Sequence, residues 1–264
     1  MLYETLLKTF VIIIRKVGTN MKQAITFLGR DSGFGKKNTS AYAMIDKRLL
    51  LIDCGQTVMR QLQKKNLLNN ISGIDVIITH MHGDHVGSLS QLALYSYFTL
   101  RKPINIITAC SKIEEFLTIT GVDRYCQIPG FPEERYTRNN NFVTFIKTNH
   151  VGNEMDCYGF STKINGIHIV YTGDTTTIEP FMHELTQGTQ LFCDASTVGG
   201  VHLKLQDNIG LLNELTKKGV SVYLMHLDNE PKIRKMIRGT KIHICGRFQK
   251  EITSPFVTLI QKII

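Results

Sequence analysis

No tryptophan occurs in this chain, and aromatic residues make up only 8 % of it. Yet 42 % of the residues are apolar and only six are proline, which excludes a disordered or proline-rich protein. The six cysteines, at 54, 110, 126, 157, 193 and 245, form no CxxC pair and show no tight spacing. That pattern argues against a disulfide framework and reads as reduced thiols in a cytoplasmic protein. No apolar run is long enough to span a membrane: Val11–Ile14 begins one, but it breaks at Arg15-Lys16, and Val17-Gly18-Thr19 makes a poor cleavage site. Acids are the scarcer charge, 22 against 31 basic residues, for a formal net charge of +9. This suits an anionic substrate or a nucleic-acid surface, although a basic surface with no such partner reads equally well on charge alone.

Neither repeat, low-complexity tract nor linker divides the chain. A new start at Met21 opens a first strand, so residues 1–20 read as an N-terminal extension and 21–264 as a single domain. Strands are expected at Ala24–Leu28, Ser40–Ile45, Leu49–Asp53, Asp75–Thr79, Ile104–Ile107, Phe142–Lys147, Cys157–Ile164, Ile167–Tyr171, Gln190–Cys193, Val220–Met225 and Lys241–Cys245. Helices are expected at Thr57–Asn66, Gly87–Thr99, Lys112–Thr120, Pro180–Gln187 and Leu205–Lys218. Gly121–Asn141, with two prolines and an Asn run, reads as a mobile loop or lid.

What is abundant is histidine in one place. Thr79–Val86 reads Thr-His-Met-His-Gly-Asp-His-Val, directly after the apolar run Asp75–Ile78. His80, His82, Asp84 and His85 cannot all lie on one strand face, but they converge if the strand ends at His80 and the chain curls through Gly83 into a helix. Imidazole nitrogens with a carboxylate oxygen suit Zn²⁺ or a similar first-row ion. Further donors follow apolar strands downstream: His150 after Phe142–Lys147, Asp174 after Ile167–Tyr171, and His226 after Val220–Met225. Five His and two Asp are enough for two metal ions with a position left open for water.

With these residues assembled, the chain resembles the metallo-β-lactamase superfamily of hydrolases from about Met21 to Asp228. Its His-x-His-x-Asp-His signature is matched by His80 to His85, and the later motifs fall in the family order. The resemblance implies an α/β fold, an αββα sandwich of two mixed sheets flanked by helices. It implies that His80, His82 and His150 hold one metal, that Asp84, His85 and His226 hold a second, and that Asp174 bridges them. Asp53, in Leu-Leu-Ile-Asp-Cys-Gly, matches the acid that supports the ligand loop from behind, as metal-bound imidazoles require. Two divalent ions, Zn²⁺ or alternatively Mn²⁺, roughly 3.5–4 Å apart can share a hydroxide, lower its pKa towards about 7 and neutralise an attacked phosphoryl group.

Within the superfamily the chain is similar to the ribonuclease Z-like phosphodiesterase branch. Phe27-Leu-Gly, Asn38-Thr-Ser-Ala-Tyr and Leu-Ile-Asp-Cys-Gly55 resemble its first motif. Asp194-Ala-Ser-Thr followed by His202 resembles its acid-then-His segment, in which the His donates a proton to the leaving oxygen; Val-His-Leu-Lys departs from the usual surroundings of that His. Asp84, His202 and Asp194 are therefore the candidate catalytic residues. The tRNA-gripping arm of ribonuclease Z would have to fit between His150 and Asp174, where only two strands fit. The implied reaction is hydrolysis of a small cyclic phosphodiester, such as a cyclic nucleotide, by attack of a metal-bridging hydroxide. The branch also includes phage anti-defence enzymes, whose compartment would be the host cytoplasm. The alternatives are a ribonuclease Z-like RNA endonuclease, a thioesterase or lactonase of the same fold, and a nucleic-acid-binding protein merely stapled by its metals. The implied partners are the small anionic substrate and a second copy in a homodimer; a membrane is not expected, and nucleic acid is permitted but not favoured.

Other residues carry weaker signals. His168, His183 and His243 lie within expected elements and suit core or surface roles. Tyr125, Phe131 and Tyr136, interleaved with Arg124, Arg135 and Arg138, could stack a base and pair a phosphate, or lie across a dimer interface over a neighbour's site.

Overall fold

A computed structural model of the chain describes residues 23–128, 135–138, 141–152 and 154–246. The N-terminal extension at 1–20 lies outside the described residues, as does Phe131.

Two mixed sheets form the frame. The first has six strands in sequential order: β1 (Thr26–Gly29), β2 (Ser40–Ile45), β3 (Arg48–Ile52), β4 (Gly73–Ile77), β5 (Ile104–Ile107) and β6 (Cys126–Gln127). β1, β2 and β3 pair antiparallel, and β3 to β6 run parallel. The second has seven: β7 (Arg135–Arg138), β8 (Asn141–Lys147), β9 (Tyr158–Ile164), β10 (Ile167–Tyr171), β11 (Gln190–Asp194), β12 (Ser221–Met225) and β13 (His243–Ile244). It repeats the pattern, antiparallel from β7 to β10 and parallel from β10 to β13.

Period-two alternation along the strands sorts the core into layers. In β4 and just beyond, Ile74, Val76 and Ile78 pack outward on helices α1 (Val58–Lys64), α3 (Leu89–Leu100) and α4 (Ile113–Ile119), while Ile77 points at the other sheet. In β11, Leu191 and Cys193 face outward to helices α5 (Leu205–Lys217) and α6 (Glu230–Met236), while Phe192 joins Phe27, Phe160 and Tyr171 between the sheets. Strands buried on both faces read as continuous apolar runs, as the parallel halves of both sheets do. The result is the αββα sandwich.

Several bounds differ from the sequence reading for local reasons. Pro180–Gln187 is a 3-10 helix, Glu179–Glu184, closed by i to i+3 bonds such as Phe181 N to Ile178 O at 3.0 Å. The expected loop at 121–141 contributes an edge strand to each sheet, because Cys126 and Gln127 continue the ladder beside Ile104 and Asn105, and Arg135–Arg138 pairs with β8. Tyr125 packs against Tyr97 and Phe98 with ring centroids 4.5 and 5.3 Å away, so that ring belongs to a surface aromatic cluster. Helix α6 lies outside the helices expected from the sequence. Among the described residues, no helix is long and apolar enough to cross a membrane.

Candidate active site

The candidate residues stand at the carboxyl ends of strands, where an open α/β sheet presents its loops on one rim. Asp53 follows β3, His80 follows β4, His150 follows β8, Asp174 follows β10, and His226 follows β12; Asp194 closes β11. After β4 the chain turns at His82 into the one-turn helix α2 (Gly83–Val86), which brings Asp84 and His85 back towards His80. The backbone is bent hard here. Asp53 and His226 adopt left-handed φ values of 57° and 54°, the kind of local strain that persists where surrounding structure over-determines it. Gly173, at φ 58°, leaves no room for a Cβ, which would meet the Tyr158 carbonyl oxygen at 2.6 Å.

The sequence-derived set comes together in full. His80 Nε2 and His150 Nε2 lie 3.0 and 3.3 Å from His82 Nδ1. Asp84 Oδ2 lies 3.3 Å from His85 Nε2 and 3.2 Å from His226 Nε2. Asp174 joins the two groups: its Oδ2 is 3.8, 3.7, 3.5 and 3.4 Å from the Nε2 atoms of His80, His150, His85 and His226. His168, His183 and His243 take no part in these groups.

The donor set fits metal ions. Burial first, then the neighbouring His85, holds His80 well below the ordinary histidine range, so it presents a neutral lone pair. His80 Nε2 and His150 Nε2 both face His82 Nδ1 at 3.0 and 3.3 Å, and a single proton there serves only one of these contacts, whereas a cation among the three nitrogens satisfies all of them. A tetrahedron with bonds of about 2.0–2.1 Å has ligand atoms about 3.3 Å apart. His85 Nε2 and Asp174 Oδ1 are buried without a hydrogen-bond partner, which is costly for polar atoms unless something else satisfies them.

Polar groups behind the imidazoles fix their orientation. His85 Nδ1 donates to Asp53 Oδ2 at 2.9 Å, and His150 Nδ1 donates to the Val201 carbonyl at 2.8 Å. The loop carrying Val201 is itself held by Asp228, whose carboxylate accepts from Ser196 Oγ at 2.9 Å, Thr197 N at 2.8 Å and Thr197 Oγ1 at 3.0 Å. Neither Val201 nor Asp228 carries a signal in the sequence, because one acts through its backbone and the other through a contact across the fold. At the mouth, His202 Nδ1 donates to Asp194 Oδ2 at 2.9 Å, and its ring lies 4.9 Å from that of His150 and 4.8 Å from that of His226. Burial pulls the His202 pKa down, but the hydrogen bond and charge of Asp194 outweigh it and raise it. Asp194 also accepts from Thr175 N at 3.1 Å.

Against known proteins, residues 23–243 match the family described as anti-Pycsar protein Apyc1. The chain belongs to that family. An anti-Pycsar protein Apyc1 of Bacillus phage 010DV004 is 28 % identical over 231 residues, covering 76 % of this chain and 88 % of the relative. Among solved structures, the metallo-β-lactamase fold protein YhfI from Bacillus subtilis superposes with a TM-score of 0.67 at 20 % identity, covering 84 % of this chain and 94 % of that one. Human tRNase Z, short form, does so with a TM-score of 0.57 at 17 % identity, covering 85 % and 97 %. The fold is that of the metallo-β-lactamases.

Proposed function

We propose that this protein is a dinuclear phosphodiesterase that hydrolyses a small cyclic phosphodiester, such as a cyclic nucleotide. His80, His82 and His150 would hold one divalent ion and Asp84, His85 and His226 the other, with Asp174 shared. Zinc is the ion the nitrogen-rich set favours; Mn²⁺ is the alternative. Such a pair lowers the pKa of water and neutralises charge on the phosphoryl oxygens.

The chain's own residues do the rest. Asp53 and the Val201 carbonyl fix the tautomers of His85 and His150, so that each offers Nε2 to the centre. Asp194 accepts the Nδ1 proton of His202, keeps the imidazole protonated to a higher pH and leaves Nε2–H to protonate the departing sugar oxygen. The observation that carries this reading is the Asp194–His202 pair standing at the mouth of the histidine cluster. A thioesterase or lactonase would need no such donor. Membership of the anti-Pycsar protein Apyc1 family, with Bacillus phage proteins among the relatives, agrees with the phage anti-defence enzymes of the branch that the sequence resembles. The interval from His150 to Asp174 is taken up by the β9–β10 hairpin, which favours a small substrate over tRNA.

We further read the working form as a cytoplasmic homodimer of one catalytic domain. Free thiols at all six cysteines support the compartment, and size measurement by light scattering tests the dimer. For the function, metal-loaded protein is incubated with 3′,5′- and 2′,3′-cyclic nucleotides, cyclic dinucleotides, a tRNA precursor, a thioester and a lactone. Consumption of a cyclic mononucleotide, lost in His202→Ala, is the expected result. Turnover of the thioester or lactone alone, or of the tRNA precursor alone, overturns it.

A further inference from the structure

We propose that Phe34 is the platform on which the substrate's base stacks, and so the residue that selects for a nucleotide over other phosphodiesters. This rests on the cyclic-nucleotide reading above.

The observation is a phenylalanine held out in water by a rigid, polar loop. Phe34 is fully exposed, in the turn Ser32-Gly33-Phe34-Gly35 between β1 and β2. The loop around it is tied down on all sides. Gly35 N donates to Ser32 O at 2.8 Å, Asp31 N to Lys37 O at 3.1 Å and Lys37 N to Asp31 Oδ2 at 3.1 Å. Ser32 N donates to Leu227 O at 3.0 Å and Leu227 N to Arg30 O at 2.8 Å, which fasten the loop to the residue that follows His226. Asn38 Nδ2 donates to Gly33 O at 3.3 Å, and its Oδ1 accepts from Thr57 N at 3.1 Å.

This loop is also a wall of the site. Gly33 is pressed so close to Asp84 that a Cβ on it would meet Asp84 Oδ2 at 2.9 Å. That oxygen is the one lying 3.2 Å from His226 Nε2 and 3.3 Å from His85 Nε2. Phe34 is the next residue, one trans peptide (about 3.8 Å between Cα atoms) further on. Beyond the histidines, on the loop that orients His150 and carries His202, Val198 is 74 % and Val201 42 % exposed. Exposed apolar residues thus stand on two loops that border the charged centre. A ligand that answers both features has an anionic phosphodiester and a flat, apolar-faced ring, which is the make-up of a nucleotide. Aromatic side chains hold bases by their faces, and do so with little dependence on base identity.

The absence of tryptophan makes a direct test available, because Phe34→Trp introduces the only indole in the chain. Emission from this variant, metal-loaded, is followed while a 3′,5′-cyclic nucleotide or base-free ribose 5-phosphate is added. Saturable quenching by the cyclic nucleotide and none by ribose 5-phosphate is the expected result. In parallel, Phe34→Ala raises KM for the cyclic nucleotide about tenfold with kcat held within about twofold, while Phe34→Tyr restores the wild-type KM. Should the wild type turn over cyclic nucleotides while Phe34→Trp shows no quenching and Phe34→Ala keeps its KM, this proposal falls and the function stands. Emission that depends on protein concentration and is indifferent to nucleotide places Phe34 against a second copy, and also overturns it. If the wild type neither binds nor consumes any cyclic nucleotide, the functional reading fails and the platform fails with it.

Discussion

Asp53 and His85, 32 positions apart, share a 2.9 Å hydrogen bond at the back of the histidine cluster, and both are buried. The other Asp53 oxygen accepts from the Thr79 amide at 2.9 Å, so one carboxylate fixes both the ring of His85 and the backbone from which His80 departs. Burial pulls the His85 pKa down, while the charges of Asp174 and Asp53 push it well up.

Replacing this carboxylate therefore should weaken the site without emptying the core. In Asp53→Asn the amide still accepts from Thr79 N but no longer offers His85 a charged acceptor. Metal affinity is expected to fall about 10–100-fold. Competition against a chromophoric chelator measures it, and affinity equal to wild type would show that Asp53 merely packs.

His202 should separate chemistry from metal binding. His202→Ala is expected to cut kcat by about 10²–10⁴-fold while leaving metal content unchanged. The acid form is the active one, so activity falls as pH rises through the raised pKa of His202. Asp194→Asn removes the first upward cause after burial, and so should move that alkaline limb to lower pH. A kcat/KM profile with an unmoved limb would assign it to another group.

The Asp228 carboxylate gathers Ser196 and Thr197 at the root of the loop that carries Val201 and His202. Asn has one acceptor oxygen where Asp has two, so Asp228→Asn loosens the loop without touching the centre. A fall of about tenfold in kcat/KM is expected, equivalent to ~1.4 kcal/mol. Thermal unfolding should be nearly unchanged; a large drop in Tm with normal kcat/KM would make Asp228 purely structural.

How much of this was legible beforehand depends on whether the information is local. Ile167–Tyr171 was read to the residue because apolar β-formers end at a glycine-containing turn on both sides. The metal-type residues were legible because each follows such a strand, and strand ends converge in this architecture. Helix α6 was not, because Pro231 reads as a breaker; in the fold it sits in the first turn, behind Asn229, whose side chain accepts from Lys232 N at 3.0 Å. His202 is the weakest of the site residues in sequence, since its surroundings depart from the branch pattern; the 2.9 Å bond to Asp194 and the nearby rings of His150 and His226 tie it to the site. Asp228 and Phe34 stayed silent because their significance lies in what the chain brings beside them.

Arg30 anchors the Phe34 loop from below, and its pairing offers a test by pH. Its Nε and Nη2 donate to the two Glu230 carboxylate oxygens at 3.0 and 2.7 Å, and its Nη1 donates to the Cys245 carbonyl. Burial alone would raise the Glu230 pKa, but the hydrogen bond from Arg234 and the charge of Arg30 outweigh it and lower it. A carboxylate whose folded pKa is depressed contributes stability above its unfolded value, and loses it as pH falls through the folded one. Glu230→Gln should therefore lower Tm by about 2–4 °C at pH 7, the shift that ~1 kcal/mol produces in a domain of this size. The difference from wild type should close as pH falls below the ordinary glutamate range. A difference that stays constant into acid would mean that the lost stability comes from packing and not from the Arg30–Glu230 charge pair.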